Sequence, residues 1–113
     1  MTATITEDAL RTCLDACAEC QRSCESCSYG CCIGESELTS CAQLCLDCAT
    51  LCGAYVTLLA RGSAWAGELA KTCVQVCRAC AAECERHADP ACQRCAEVCR
   101  RCADACEQVA ALA

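Results

Sequence analysis

The sequence predicts an all-α fold, an antiparallel up-down-up-down four-helix bundle with a Cys-lined core, and three observations predict it. Twenty of the 113 residues are cysteine. Nearly all recur at alternating gaps of four and three, in runs at 13, 17, 20, 24, 27, 31; 41, 45, 48, 52; 73, 77, 80, 84; and 92, 95, 99, 102, 106. This is the a/d repeat of packed helices, written in thiol where leucine or isoleucine is usual. Breakers at Gly30 to Gly34, Arg61 to Ser63 and Asp89-Pro90 separate the runs.

Each helix follows from its ends. The first is expected over about 4–30, with Thr4 as N-cap and Glu7, three residues on, closing a capping box. The second is expected over about 35–60, starting after Gly34. The third is expected over about 63–88, with Ser63 as N-cap. The fourth, over about 90–112, has the clearest start: an Asp cap at 89, then Pro90 at the first helical position, where a missing N–H costs nothing. Short connections force antiparallel neighbours, so residues 1–113 read as a single bundle domain.

Composition narrows the partners. A formal charge of −6, from 15 acidic and 9 basic residues, argues against a nucleic-acid or anionic-membrane surface, which needs clustered Lys and Arg. No run of about 18 apolar residues is present to span a bilayer. Met1 to Asp8 has neither a basic n-region nor an apolar h-region, so no secretory signal is expected. The expected location is therefore the cytoplasm, where thiols stay reduced and a Cys-dense chain is better suited to metal than to cross-links.

The thiols are not spread evenly along the predicted tube. On helix 2 the inward track turns from Cys52 to Tyr55 and Leu59, and on helix 3 it starts with Ala66 and Ala70 before Cys73. With Leu10, Trp65, Leu69, Val109 and Leu112 at the same end, these residues predict a hydrocarbon plug. The opposite end collects Cys31, Cys32, Cys92 and His87, and is expected to be the mouth. His87, the chain's sole histidine, also fits a simpler role as a cation at a helix C-terminus.

Several chemistries compete for the cysteines. Single buried Cys residues pass as small hydrophobes, but twenty in phase do not. Cys residues at i and i+4 point the same way, which is poor disulfide geometry, although cross-helix bridges remain open on oxidation. An iron–sulfur site needs fewer ligands in a compact loop run ending in Cys-Pro, and the one proline is Pro90. The Cys-x-x-Cys pairs lack the βαβ setting of thioredoxin-type chemistry.

Among metals, charge decides. Five isolated zinc tetrathiolates would leave about ten buried negative charges. A soft monovalent ion such as Cu(I) accepts low coordination numbers and neutralises one thiolate each. Nine Cys-x-x-x-Cys pairs tile the chain, at 13/17, 20/24, 27/31, 41/45, 48/52, 73/77, 80/84, 95/99 and 102/106, leaving Cys32 and Cys92 for the mouth. Stacked about 6 Å apart on one helix face, such pairs suit a near-linear S–Cu–S unit. Spacing alone leads to a soft-metal thiolate cluster and no further.

The inward Cys-x-x-x-Cys ladders on all four helices, with a His at the open end, resemble the bacterial copper storage proteins of the cytosolic type. The resemblance covers Thr4 to Leu112. It implies storage of many Cu(I) ions on the core cysteines, about twenty at one per Cys, loading through the Cys/His mouth, exchange with copper donor or acceptor proteins or small thiols, and homo-oligomers, usually tetramers. The metal-ligating set is then Cys13, Cys17, Cys20, Cys24, Cys27, Cys31, Cys32, Cys41, Cys45, Cys48, Cys52, Cys73, Cys77, Cys80, Cys84, His87, Cys92, Cys95, Cys99, Cys102 and Cys106. No catalytic role is expected: one histidine supplies no nucleophile–base set, and there is no phosphate-binding glycine loop. A thiol redox buffer or oxidoreductase, and a zinc or cadmium detoxifier of metallothionein type, remain as alternatives.

Overall fold

The computed structural model describes residues 6–112, the side chain of Leu112 excepted. Four long helices run through it: α1 (Glu7–Cys27), α2 (Thr39–Ala60), α3 (Ala66–Glu85) and α4 (Pro90–Leu112). Each packs on two neighbours, α1 and α3 both lying against α2 and α4. The body is a rod of 50 × 18 × 18 Å, as expected of an antiparallel bundle of helices about 30–35 Å long with its connecting turns.

The helix starts follow local chemistry. Thr6 caps α1, its Oγ1 accepting from the Ala9 N–H at 3.1 Å, with Glu7 and Asp8 in the first turn where the helix dipole favours them. The Thr4 cap expected from the sequence lies outside the described residues. Asp89 Oδ1 accepts from the Ala91 N–H at 2.8 Å, with Pro90 between them, as the sequence predicted. Ser63 does accept a backbone N–H, that of Trp65 at 3.1 Å, but regular helix begins only at Ala66. At its other end α3 stops at Glu85 instead of about 88.

The α1–α2 connection is the main departure from simple helix logic. After Cys27 the chain makes a π-helical turn over Ser28–Cys32, closed by Ile33 N–H to Ser28 C=O at 2.7 Å. It then turns at Gly34, whose φ of +86° is the left-handed conformation glycine adopts without penalty. A 3₁₀ turn, Ser36–Leu38, leads into α2. The Ser28 hydroxyl, buried, donates to the Ala42 carbonyl at 3.1 Å and ties the turn to α2.

Alanines flank the inward cysteines. Ala42, Ala49, Ala81, Ala96 and Ala103 are buried beside them, and their small side chains let the four backbones close around a core of sulfur. The stretch Ser36–Ala60 is long and apolar enough by length and composition to cross a membrane. In the bundle its Cys41, Cys45, Cys48, Cys52, Tyr55 and Leu59 are buried against the other helices.

The plug is only partly as expected. Tyr55, Leu59, Ala66, Ala70 and Val109 are buried together, and Leu10 packs on them. Trp65 is not part of it. Its side chain is 73% exposed, because the chain is still in the α2–α3 turn at that point and the inward track of α3 starts one residue later. Between Leu10, Tyr55, Leu59, Ala66, Ala70 and Val109 lies an apolar hollow of about 360 Å³. The Leu112 side chain lies outside what is described.

Candidate metal centre

All twenty cysteines are free thiols, and all but Cys31 are buried. The heptad puts them there: at gaps of four and three every side chain in a run falls on one helix face, and four such faces meet on the bundle axis.

The sulfurs meet mainly across helices. Cys17 Sγ stands 3.4 Å from Cys102 and Cys106 Sγ, and Cys41 Sγ 3.4 Å from Cys84 Sγ. Contacts of 3.6 Å join Cys24 to Cys99 and Cys48 to Cys77. Within one helix, the pairs 20/24, 48/52, 80/84 and 102/106 lie at 4.0 Å. The other expected i, i+4 pairs take their short contacts elsewhere, so the core is a cross-helix network and not a set of parallel ladders. A helix face fixes only direction, whereas the approach of the neighbouring helix fixes distance.

Groups of four sulfurs lie within 4.8 Å of one another along the tube: Cys20, Cys52, Cys77, Cys102; Cys20, Cys24, Cys48, Cys99; Cys24, Cys45, Cys80, Cys95; Cys27, Cys41, Cys45, Cys84; and Cys27, Cys32, Cys41, Cys92. Two of these draw one sulfur from each helix, and each shares a member with another group. The Cys73 thiol donates to the Leu51 carbonyl at 3.4 Å. At the closed end Cys13 donates to the buried Tyr55 hydroxyl at 3.8 Å. That contact was not foreseen, although a buried Tyr signals it, since the phenol O–H needs a partner.

At the other end the π turn rearranges the expected mouth. Cys32, not Cys31, takes the inward place below Cys27, with Sγ atoms 3.8 Å apart. Cys92 Sγ then lies 3.8 Å from Cys31, 3.9 Å from Cys32 and 4.0 Å from Cys27. The extra residue in a π turn moves the inward position from i+4 to i+5. The 27/31 pair of the ladder is thereby replaced by 27/32. A glycine inside a helix end, next to a Cys-Cys doublet, was the available signal.

His87 lies beyond the end of α3, and its Nε2 is 2.8 Å from Glu83 Oε2. Glu83 also accepts from Arg86 at 3.2 Å. The imidazole is thus held by a carboxylate at the rim.

Protonation in the metal-free core follows burial and sulfur-to-sulfur bonding. Burial pushes the Cys31, Cys32 and Cys92 thiols up, with Asp89 adding to the effect on Cys31. Desolvation thus makes these three mouth thiols harder to ionise than an ordinary thiol. Cys27 alone at this end is lowered, to about 6, because Cys45 and Cys84 donate to it. Deeper in, sulfurs that accept from several neighbours, such as Cys20, Cys48, Cys95 and Cys106, fall below the ordinary thiol range. Donors such as Cys13, Cys24 and Cys102 rise, chiefly through their bonds to Cys106, Cys20 and Cys106 respectively. A metal filling the tube must displace protons from the thiols that are held up.

Known proteins share this arrangement. The family model described as copper storage protein matches residues 6–111. An uncharacterised cysteine-rich protein of Bacillus subtilis, YhjQ, is 33% identical over 90 residues, covering 77% of this chain and 82% of that protein. The copper storage protein Ccsp from Streptomyces lividans, in a structure loaded with 10 copper equivalents, superposes with a TM-score of 0.90 at 31% identity, covering 96% of this chain and 89% of that one. Apo-Csp3, copper storage protein 3 from Bacillus subtilis, superposes with a TM-score of 0.82 at 32% identity, covering 88% and 97%. A further Streptomyces lividans structure, of a cytosolic copper storage protein carrying five coppers, gives 0.85 at 33% identity over 92% and 93%. With its Cys-lined bundle and these relatives, the chain belongs to the copper storage protein family.

Proposed function

We propose that the whole chain is one non-enzymatic store for Cu(I) in the cytoplasm, holding about one ion per cysteine, about twenty in all, and filling from the Cys31–Cys32–Cys92 end. Copper-carrying proteins or small thiols supply and withdraw the ions. His87 belongs to the rim of this end and serves there at most one ion or two. A homotetramer is part of the proposal through the resemblance alone, and light scattering tests it.

The observation that carries the reading is the sharing of sulfurs between neighbouring four-sulfur groups, with Cys20, Cys24, Cys27, Cys41 and Cys45 each in two of them. Shared sulfurs suit bridging thiolates and ions of low coordination number. One monovalent ion per thiolate leaves the core neutral, which a buried site of this size requires. The Streptomyces lividans relative loaded with 10 copper equivalents supports the same cargo.

The spacing also suits a second reading. Zn–S bonds of about 2.3 Å place tetrahedral sulfurs about 3.8 Å apart, and many contacts here are 3.6–3.9 Å. Separate tetrathiolates would still bury two negative charges each. Anaerobic titration of the reduced protein with Cu(I), followed by metal analysis, decides between them. An end point near twenty supports the store; one near four or five ions, or displacement of Cu(I) by Zn(II) in competition, removes it.

A further inference from the structure

A groove of about 300 Å³ runs between α1 and α4 on the flank of the Cys31–Cys92 end, lined by Glu19, Arg22, Ser23, Ser26, Cys27 and Arg94, among others. Cys27, 2% exposed, lies in the wall of this groove, and the other five named residues are polar. It is the cysteine that joins the mouth to the tube, with Sγ contacts of 3.8 Å to Cys32 and 4.0 Å to Cys92 and membership of two four-sulfur groups.

The groove carries two of the four arginines, Arg22, Arg61, Arg94 and Arg101, that have no carboxylate partner among the described residues. Arg11, Arg78, Arg86 and Arg100 are each paired with a carboxylate on the bundle surface. Among the described residues, Arg22 and Arg94 have no carboxylate within 4.0 Å. Two uncommitted guanidiniums thus face a groove whose one acid is Glu19, on a protein of net charge −6. Ser23 and Ser26 add hydroxyl donors. Guanidinium pairs and hydroxyls are the donor set for carboxylates.

We propose that this groove docks a small thiol bearing carboxylates, carrying Cu(I) as its thiolate complex, and hands the ion to Cys27. The proposal rests on the Cu(I)-storage reading and names the partner class for the same tube. Such a complex is an anion that the overall charge repels, and the two arginines reverse the field locally. Transfer is a ligand exchange: the Cys27 thiolate bonds to Cu(I), and one carrier thiolate leaves and takes up a proton from water. No electron changes hands. Cys32 and Cys92, about 4 Å away, displace the second carrier thiolate in the same manner and free Cys27 for the next complex.

The test compares carriers of opposite charge. Cu(I) is presented to the reduced protein as its glutathione complex, which is anionic, or its cysteamine complex, which is not, and loading is followed by stopped-flow luminescence. The R22E/R94E variant should load from glutathione about tenfold more slowly or worse, within about twofold of normal from cysteamine, and to the same final ion count. R22K/R94K should keep most of the glutathione rate, and raised ionic strength should slow the wild type with glutathione only. Equal rates for wild type and R22E/R94E with glutathione, or equal slowing with both carriers, overturn the groove assignment while leaving storage intact. A wild-type protein that takes Cu(I) from neither carrier overturns the storage reading, and this proposal with it.

Discussion

Cys32 Sγ lies 3.8 Å from Cys27 Sγ, five residues back along the chain. An α-helix would have stacked Cys31 there instead. The π turn over Ser28–Cys32 makes the substitution and leaves Cys31 as the one cysteine that is not buried. The two neighbours should therefore behave differently. Cys32→Ala removes a member of the Cys27, Cys32, Cys41, Cys92 group and should lower Cu(I) capacity by about one ion. Cys31→Ala should mainly slow the first phase of loading. Metal analysis and stopped-flow kinetics on the two variants check this, and identical behaviour would contradict the register of the turn.

The deep end makes the complementary test of direction. Cys13 and Cys106 sit beside Tyr55 and the hydrocarbon residues, where an arriving ion finds no ligand. A Cys13→Ala, Cys106→Ala double variant should lose about two ions of capacity with an unchanged initial rate. His87→Ala should keep its capacity to within an ion or two and change only the rate at which a chelator withdraws copper. Initial loading that slows for the deep pair and not for changes at Cys31, Cys32 or Cys92 would place the mouth at the wrong end.

Tyr55 closes the sulfur tube with a hydroxyl bonded to Cys13. Tyr55→Phe keeps the ring and should cost the metal-free protein about 0.5–1 kcal/mol, the worth of one weak hydrogen bond. Tyr55→Ala should cost about 3–5 kcal/mol, because it enlarges a hollow that already measures about 360 Å³. Urea denaturation of the reduced apo forms measures both.

Neutral thiols can fill a core without metal, since they are small and weakly polar. The apo protein should therefore show full helical circular dichroism and unfold cooperatively, in contrast to a zinc finger. Replacing Cys48, Cys77 and Cys99, all fully buried, by Ala should destabilise it less than replacing them by Ser. Each buried hydroxyl without a good partner costs about 1–3 kcal/mol. A coil spectrum in the absence of metal would refute the prediction.

Alkali should unfold the apo form. Cys13, Cys24, Cys31, Cys92 and Cys102 are all held above the ordinary thiol value of 9.0, so the folded core keeps protons that the unfolded chain releases near that pH. Stability from these groups is complete below pH 9 and is lost as pH rises towards and through their folded values. Tyr55, raised by burial and by Cys13, acts in the same direction. Cys27, lowered to about 6, acts oppositely: its contribution is present above pH 9 and disappears as pH falls through 6. Copper-loaded protein has no such thiol protons to lose. Its helical signal should persist at pH 10–11, where the apo signal falls.

The run of cysteines at gaps of four and three was enough to determine four helices, their inward faces and the thiol core, because helical periodicity and burial are properties of local sequence. The caps at Thr6 and Asp89 and the apolar character of the end near Tyr55 are local in the same sense, although the capping-box pattern points to Thr4 for the first of them. Which sulfur meets which was decided by tertiary structure. Cys17 reaches Cys106, 89 residues away, and Cys41 reaches Cys84, and those distances depend on how far the helices rotate and how closely their alanines let them approach. Loop geometry decided the rest: one residue of π turn exchanged Cys31 for Cys32, the late start of α3 left Trp65 in solvent, and its early stop turned His87 to Glu83. Each of these hinges on a shift of one or two residues at a helix end, where hydrogen bonding to neighbouring elements outweighs the pattern of the chain.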